Sequence, residues 1–182
     1  MQVDYQSAVK MLKEGNERFV TGSLAPKESY AEDRKRLVEG QHPFAVVLCC
    51  SDSRVVPEIL FDQKLGDLFV IRNAGNVVDD DVLGSVEYAV EHLGTPLMVV
   101  MGHSSCGAVT ATYHGGELMG HITSIVQRIK PSMEVAHRID DIARRHAQRT
   151  AHLIESDEAV QHLNVKVLPA FYDLESGRVE WL

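Results

Sequence analysis

Three short, unbroken apolar runs constrain this chain more than any other feature. Phe44-Ala-Val-Val-Leu-Cys-Cys50, Leu68-Phe-Val-Ile-Arg72 and Leu97-Met-Val-Val-Met101 lack the polar alternation of a half-exposed strand. Runs of this length and type are strands covered on both faces, as in a parallel sheet flanked by helices. Between the second and third runs, Val82, Val86, Ala89, Val90 and Leu93 mark an amphipathic helix. Asp79–Asp81 stand at its start and Gly94 just past its end, the order that the helix dipole and capping favour. Near the end of the chain, Val165-Lys-Val-Leu-Pro-Ala-Phe-Tyr172 reads as a fourth strand. A turn at Glu175-Ser-Gly177 and an edge strand at Arg178–Leu182 follow it. The expected architecture is α/β, a mainly parallel sheet of four strands plus a C-terminal antiparallel edge strand, flanked by helices.

The N-terminal part is expected to be helical. Tyr5, Ala8, Val9, Leu12, Phe19 and Val20 recur at helical spacing, with Gly15 and Gly22 as limits. A second, polar helix fits Tyr30–Glu39, between Ser29 as cap and Gly40 as stop. After Cys106 the pattern turns helical again, broken at Pro131. The basic stretch Gln127–His152 reads as a solvated helix face. With 182 residues and no linker or repeat, the chain is expected to form one domain, 1–182. Residues 1–40 would be a helical arm and 41–182 the α/β core. The net charge of −8 argues against nucleic acid or an anionic membrane as partner. The first twenty residues hold no signal-peptide core, and no run is long enough to cross a membrane. A cytoplasmic protein with reduced thiols is the expectation. Three cysteines are too few, and odd, for a disulfide framework, so they need another explanation.

In parallel sheets, functional groups gather at the carboxyl ends of the strands. The first run ends Cys49-Cys50-Ser51-Asp52-Ser53-Arg54, and the third continues Gly102-His103-Ser104-Ser105-Cys106-Gly107. If the two strands are neighbours, Cys50, His103 and Cys106 converge. Two thiolates and an imidazole are ligands suited to a catalytic zinc ion with its fourth position open. The competing reading is three buried core thiols and a satisfied histidine. It holds best for Cys49, because adjacent strand residues face opposite ways. For the other three, a complete ligand set at two strand ends favours metal. Asp52 and Arg54, two residues apart in an extended segment, point the same way and can pair. Asp52 is then either a fourth metal ligand or an acceptor that orients a metal-bound water, with Arg54 deciding between the two. A tyrosine-phosphatase loop and a dinucleotide-binding loop both fail on spacing.

These residues resemble the β-class carbonic anhydrases. The motifs are Cys50-Ser-Asp-Ser-Arg54 and His103-Ser-Ser-Cys-Gly107, supported by Gln41-His-Pro-Phe-Ala45, Leu65-Gly-Asp-Leu-Phe69, Arg72-Asn-Ala-Gly-Asn76 and Ser85-Val-Glu-Tyr-Ala89. The resemblance implies reversible hydration of CO₂ to bicarbonate and a proton by zinc-bound hydroxide. By position, Cys50, His103 and Cys106 resemble the zinc ligands and Asp52 with Arg54 the catalytic dyad. Gln41 is similar to a glutamine that hydrogen-bonds substrate, and the backbone of Gly107 is similarly placed. Phe69, Ala74 and Tyr88 match the hydrophobic CO₂ pocket, part of which a partner subunit donates, so the resemblance implies a dimer or tetramer. Val47 stands where the closed, bicarbonate-regulated members carry tryptophan, which aligns the chain with the plant-like, open-site branch. No proton shuttle is singled out among the other eight histidines. Three other readings are hydrolysis of COS or CS₂ on the same ligands, a non-catalytic zinc protein with a closed four-ligand site, and a thiol redox sensor. The last lacks a well-placed resolving cysteine.

Overall fold

The apolar runs lie side by side in one five-stranded sheet in the computed structural model, which describes residues 3–26, 29–116, 119–134 and 136–182. The strands are β1 (Ala45–Cys50), β2 (Leu68–Asn73), β3 (Leu97–His103), β4 (Lys166–Tyr172) and β5 (Val179–Trp181), in the order β2-β1-β3-β4-β5. The first four are parallel, and β5 returns antiparallel to β4. This is the expected mainly parallel α/β sheet with an antiparallel edge. Parallel neighbours need crossover connections. Here they contain α3 (Pro57–Leu60), α4 (Asp80–Glu91), α5 (Gly107–His114), α6 (Ile122–Ile129), α7 (Ile139–Glu155) and α8 (Glu158–Gln161). Asp79 caps α4 by accepting the Val82 N–H at 3.0 Å. Pro131 falls in a 3₁₀ turn, Lys130–Met133, between α6 and α7.

Every residue of β1 and β3 is buried, and strand alternation assigns each to a layer. Ala45, Val47 and Cys49, with Leu97, Val99 and Met101, pack against Ala8, Leu12 and Phe61. Val46, Leu48, Met98 and Val100 face Val82, Val86 and Ala89 of α4 and Ala147, Ala151 and Ile154 of α7. Each such large apolar side chain contributes about 1.5–3 kcal/mol by leaving water. Cys49 thus belongs to one core layer, while Cys50 belongs to a cluster on the other side with Cys106, Val109, Ile142 and Phe171.

The first face is covered by α1 (Tyr5–Thr21), capped by Asp4 accepting from the Ser7 N–H at 2.8 Å. Gly15 does not limit this helix but lies inside it. A Cβ at Gly15 would stand 1.7 Å from the Phe61 carbonyl oxygen, so the residue is set by close approach rather than by helix ending. Next to it, Asn16 Nδ2 donates to Leu60 O and Gly177 O, and its Oδ1 accepts the Val179 N–H. One side chain therefore ties α1 both to α3 and to the turn that leads into β5. The second helix, α2 (Tyr30–Leu37), stops before Glu39. On α7, Ile142, Ala143, His146, Ala147, Thr150, Ala151 and Ile154 turn inward while Arg145 and Arg149 are exposed, the solvated basic face the sequence predicts. Cys49 registers with Met101 and Cys50 with Asn73, so the carboxyl ends of β1, β2 and β3 finish together.

Candidate metal centre

Cys50 is the last residue of β1, His103 the last of β3, and Cys106 the N-cap of α5. One donor atom from each lies within 4.8 Å of the other two, and all three residues are buried. His103 Nδ1 lies 2.9 Å from the carbonyl oxygen of Ser104. A carbonyl only accepts, so Nδ1 carries the hydrogen and Nε2 presents a lone pair. Among the described residues that buried Nε2 has no hydrogen-bond partner. Such an orphan costs about 1–3 kcal/mol, and a cation between the three donors removes the cost.

The sulfurs are prepared in opposite senses. A hydrogen bond from Cys106 pulls Cys50 far below the ordinary thiol value against the opposing effect of burial, and the N–H groups of Gly75 and Asp52 add to the pull. Cys106 is pushed upward by that same bond and by burial, although the Val109 and Ala108 N–H groups at the start of α5 favour its thiolate. Two sulfurs this close share one negative charge, and a divalent cation between them favours the second thiolate. Two thiolates, one neutral imidazole and room for a fourth ligand fit zinc.

The short segment carrying His103 and Cys106 is braced from two sides. The Ser104 N–H donates to Tyr172 O at 2.9 Å, and its Oγ accepts the Leu174 N–H at 2.8 Å. Ser105 adopts a left-handed φ of 54°, and its N–H donates to Asp140 Oδ1 at 2.9 Å. Across the site, Arg54 Nε and Nη2 donate to the two Asp52 oxygens at 2.9 and 2.8 Å. The Arg54 guanidinium holds the Asp52 carboxyl well below the usual carboxylate range. Turned toward Arg54, Asp52 stands outside the three-donor group. Arg72 Nη2 fixes the strand end by donating to Cys50 O and Asp52 O at 3.1 and 2.8 Å.

A family profile described as "Carbonic anhydrase" matches residues 45–179. The chain belongs to the β-carbonic anhydrase family. It is 44% identical to the carbonic anhydrase of Mycolicibacterium smegmatis, over 96% of this chain and 91% of the relative. It is 41% identical to carbonic anhydrase 2 of Mycobacterium tuberculosis, over 94% of this chain and 90% of the relative. Its fold superposes on a tetrameric β-carbonic anhydrase of Sordaria macrospora with a TM-score of 0.77 at 24% identity, covering 84% of this chain and 87% of the other.

This β-carbonic anhydrase chain brings only part of the expected site together. Gly107 opens α5 directly after Cys106, and Ala74 precedes Gly75, whose N–H reaches the Cys50 sulfur at 3.3 Å. Gln41 lies before β1, at the other end of the strand from Cys50. Phe69 registers with Val46, also at that far end. At about 3.3 Å per residue, Val46 and Cys50 are separated by roughly 13 Å. Tyr88 stays with Phe69, ring centroids 6.2 Å apart, and is 47% exposed. Asp140, which holds the Ser105 N–H, and Gly75, whose N–H reaches the Cys50 sulfur, are contacts of the site that sequence reasoning missed. Gly75 lay within a quoted family-like motif, and Asp140 was only an acidic residue near a helix start.

Proposed function

We propose that the protein reversibly hydrates CO₂ to bicarbonate and a proton, with one zinc ion per subunit held by Cys50, His103 and Cys106. The observation that carries this reading is the unpaired, buried Nε2 of His103 facing two sulfurs, one of them already favoured as thiolate. Bound zinc supplies hydroxide near neutral pH by lowering the pKa of its water from 15.7 toward about 7, less strongly with two thiolates than with three imidazoles, so activity rises with pH at or above neutrality.

The chain's own groups do the rest. Asp52, ionised and gripped by Arg54, accepts a hydrogen bond from the attacking water and aims its lone pair at CO₂. Arg54 also keeps Asp52 from closing the fourth position, which supports the open-site branch, as does Val47. A closed structural site would need a fourth donor in the group, and the Arg54 fork holds both oxygens of Asp52. The Gly107 N–H, in the first turn of α5 where no intrahelical acceptor exists, is available to bicarbonate.

Gln41, Phe69 and Tyr88 cannot serve the metal centre of their own chain. We assign them to the centre of a second copy, where Gln41 orients substrate and the two aromatic rings join Ala74 in lining an apolar CO₂ pocket. The working unit is then a dimer or an assembly of dimers. No helix among the described residues is long and apolar enough to cross a membrane. Three free, buried cysteines and a thiolate centre suit the reducing cytoplasm.

Zinc analysis with stopped-flow CO₂ hydration tests the reading. The wild type should hold one zinc per chain and turn over CO₂ increasingly with pH. Cys106→Ser should lose both zinc and activity, and full activity in a zinc-free Cys106→Ser protein overturns the proposal.

A further inference from the structure

Apart from His103, one histidine is buried among the described residues, and the reaction above gives it no task. His146 projects inward from α7 and is only 2% exposed. Its Nε2 lies 2.8 Å from the carbonyl oxygen of Gly75, so that nitrogen carries a hydrogen and donates it. Its Nδ1 lies 3.4 Å from the hydroxyl of Ser132, which is also buried and donates to it in the neutral ring. Burial lowers the imidazole to about pKa 4, keeping it neutral at physiological pH. With both nitrogens committed and no access to solvent, His146 is no proton shuttle.

Its bond leads to the metal centre. Gly75 sits in the turn after β2 with φ 75°, and its N–H points at the Cys50 sulfur, 3.3 Å away. The turn is boxed in: a Cβ on Gly75 would meet Ile129 Cδ1 at 2.9 Å and Ala108 Cβ at 3.0 Å. Asn73 clasps it from outside, its Nδ2 donating to Val77 O and its Oδ1 accepting the Val77 N–H. The inner side is held by His146. A carbonyl pinned on one side of Gly75 fixes the rotation of the residue and with it the direction of the N–H on the other side.

We infer that His146 is a positioning residue for the metal centre, holding the Gly75 carbonyl so that the Gly75 N–H stays aimed at the Cys50 sulfur. This inference rests on Cys50 being a metal ligand, as proposed above. A donor aimed at a ligating thiolate stabilises that anion and draws charge from the metal–sulfur bond. Comparable supports behind metal ligands change metal affinity by about 10- to 100-fold. An apolar side chain at position 146 could fill the same volume in the core but could not hold the carbonyl.

The test compares His146→Leu with His146→Gln, whose side-chain amide can donate to the Gly75 carbonyl. Zinc affinity is measured by competition with a chromophoric chelator, and the thiolate-to-metal charge-transfer band is recorded on cobalt-substituted protein. His146→Leu should lose about 10- to 100-fold in zinc affinity and shift the band, while His146→Gln keeps both near wild type. Wild-type affinity and band in His146→Leu overturn the inference, as does a His146→Gln protein impaired as much as His146→Leu. Should His146→Leu fail to fold, His146→Asn replaces it as the side chain too short to reach. Equal affinity and spectra for the Asn and Gln variants then overturn the inference. A wild-type protein lacking any thiolate band would instead defeat the metal-centre reading itself.

Discussion

Arg54 does two things to Asp52: it keeps the carboxylate ionised, and it occupies the oxygens that would otherwise turn toward the metal centre. Replacing Arg54 by Met frees the carboxylate to compete for the open coordination position. We expect CO₂ hydration to fall about 10- to 100-fold and the rise of activity to move to higher pH, read by stopped-flow profiles of both proteins. His146 makes a prediction for stability instead. In the folded state it takes a proton only near pH 4, against 6.5 when unperturbed. Between those values the unfolded chain binds more protons, so stability rises with pH. The contribution is complete above 6.5 and lost as the pH falls to about 4, on the order of 3 kcal/mol. Urea unfolding from neutral to mildly acidic pH should show wild type losing that much more than His146→Gln, and parallel losses would contradict it. The Cys50, His103 and Cys106 cluster and the Asp52–Arg54 pair were legible because each strand end carries its own donors within a few residues, Cys50-x-Asp52-x-Arg54 on one and His103-x-x-Cys106 on the other. His146 was not, because its role depends on a carbonyl 71 residues away that no side-chain motif reports.

The strands were legible as whole segments because a doubly covered strand must be apolar throughout, a demand that β1 and β3 meet along their length. The helix α4 was equally legible, since Asp79 caps where an aspartate before an amphipathic pattern should. Gly15 misled because local propensity and tertiary packing oppose each other there. In an exposed helix interior, Gly→Ala stabilises by about 1 kcal/mol. Here the added Cβ meets backbone atoms of Phe61, which cannot rotate away. Overpacking of a tight contact costs typically 1–3 kcal/mol, occasionally more. Gly15→Ala should therefore destabilise by up to about 2 kcal/mol net, measured as a lower urea midpoint at unchanged slope. A stabilised variant would mean that α1 does not approach the sheet this closely. What a linear pattern cannot convey is the strand order, β2-β1-β3-β4-β5. That order makes β1 and β3 neighbours and so lets ligands 53 residues apart in sequence, Cys50 and His103, share one ion.

The sheet also separates the chain's functional residues into two ends. The zinc-type ligands gather at the carboxyl end of β1, while Gln41, Phe69 and Tyr88 lie toward its amino end. On the proposed reading a single copy has half of each of two sites, and the exposed Tyr88 ring stands against Phe69 and His92. If two copies exchange these halves, two differently disabled chains must repair each other. Gln41→Ala retains the metal centre but cannot orient substrate for its partner, and Cys106→Ser retains Gln41 but cannot hold zinc. Each alone should show little CO₂ hydration. Mixed in equal amounts and allowed to re-associate, half of the dimers pair unlike chains, and in each of those one centre of two has both an intact ligand set and an intact Gln41. Activity should rise to about a quarter of wild type, the statistical share for a two-fold symmetric pair. Tyr88→Arg, placing a charge at the exposed aromatic face, should abolish the recovery and shift the sedimentation coefficient toward a monomer. If the mixture stays at the level of its weaker component while sedimentation still shows mixed dimers, then Gln41 serves no neighbour's centre, and each chain must complete its substrate site from groups at its own strand ends.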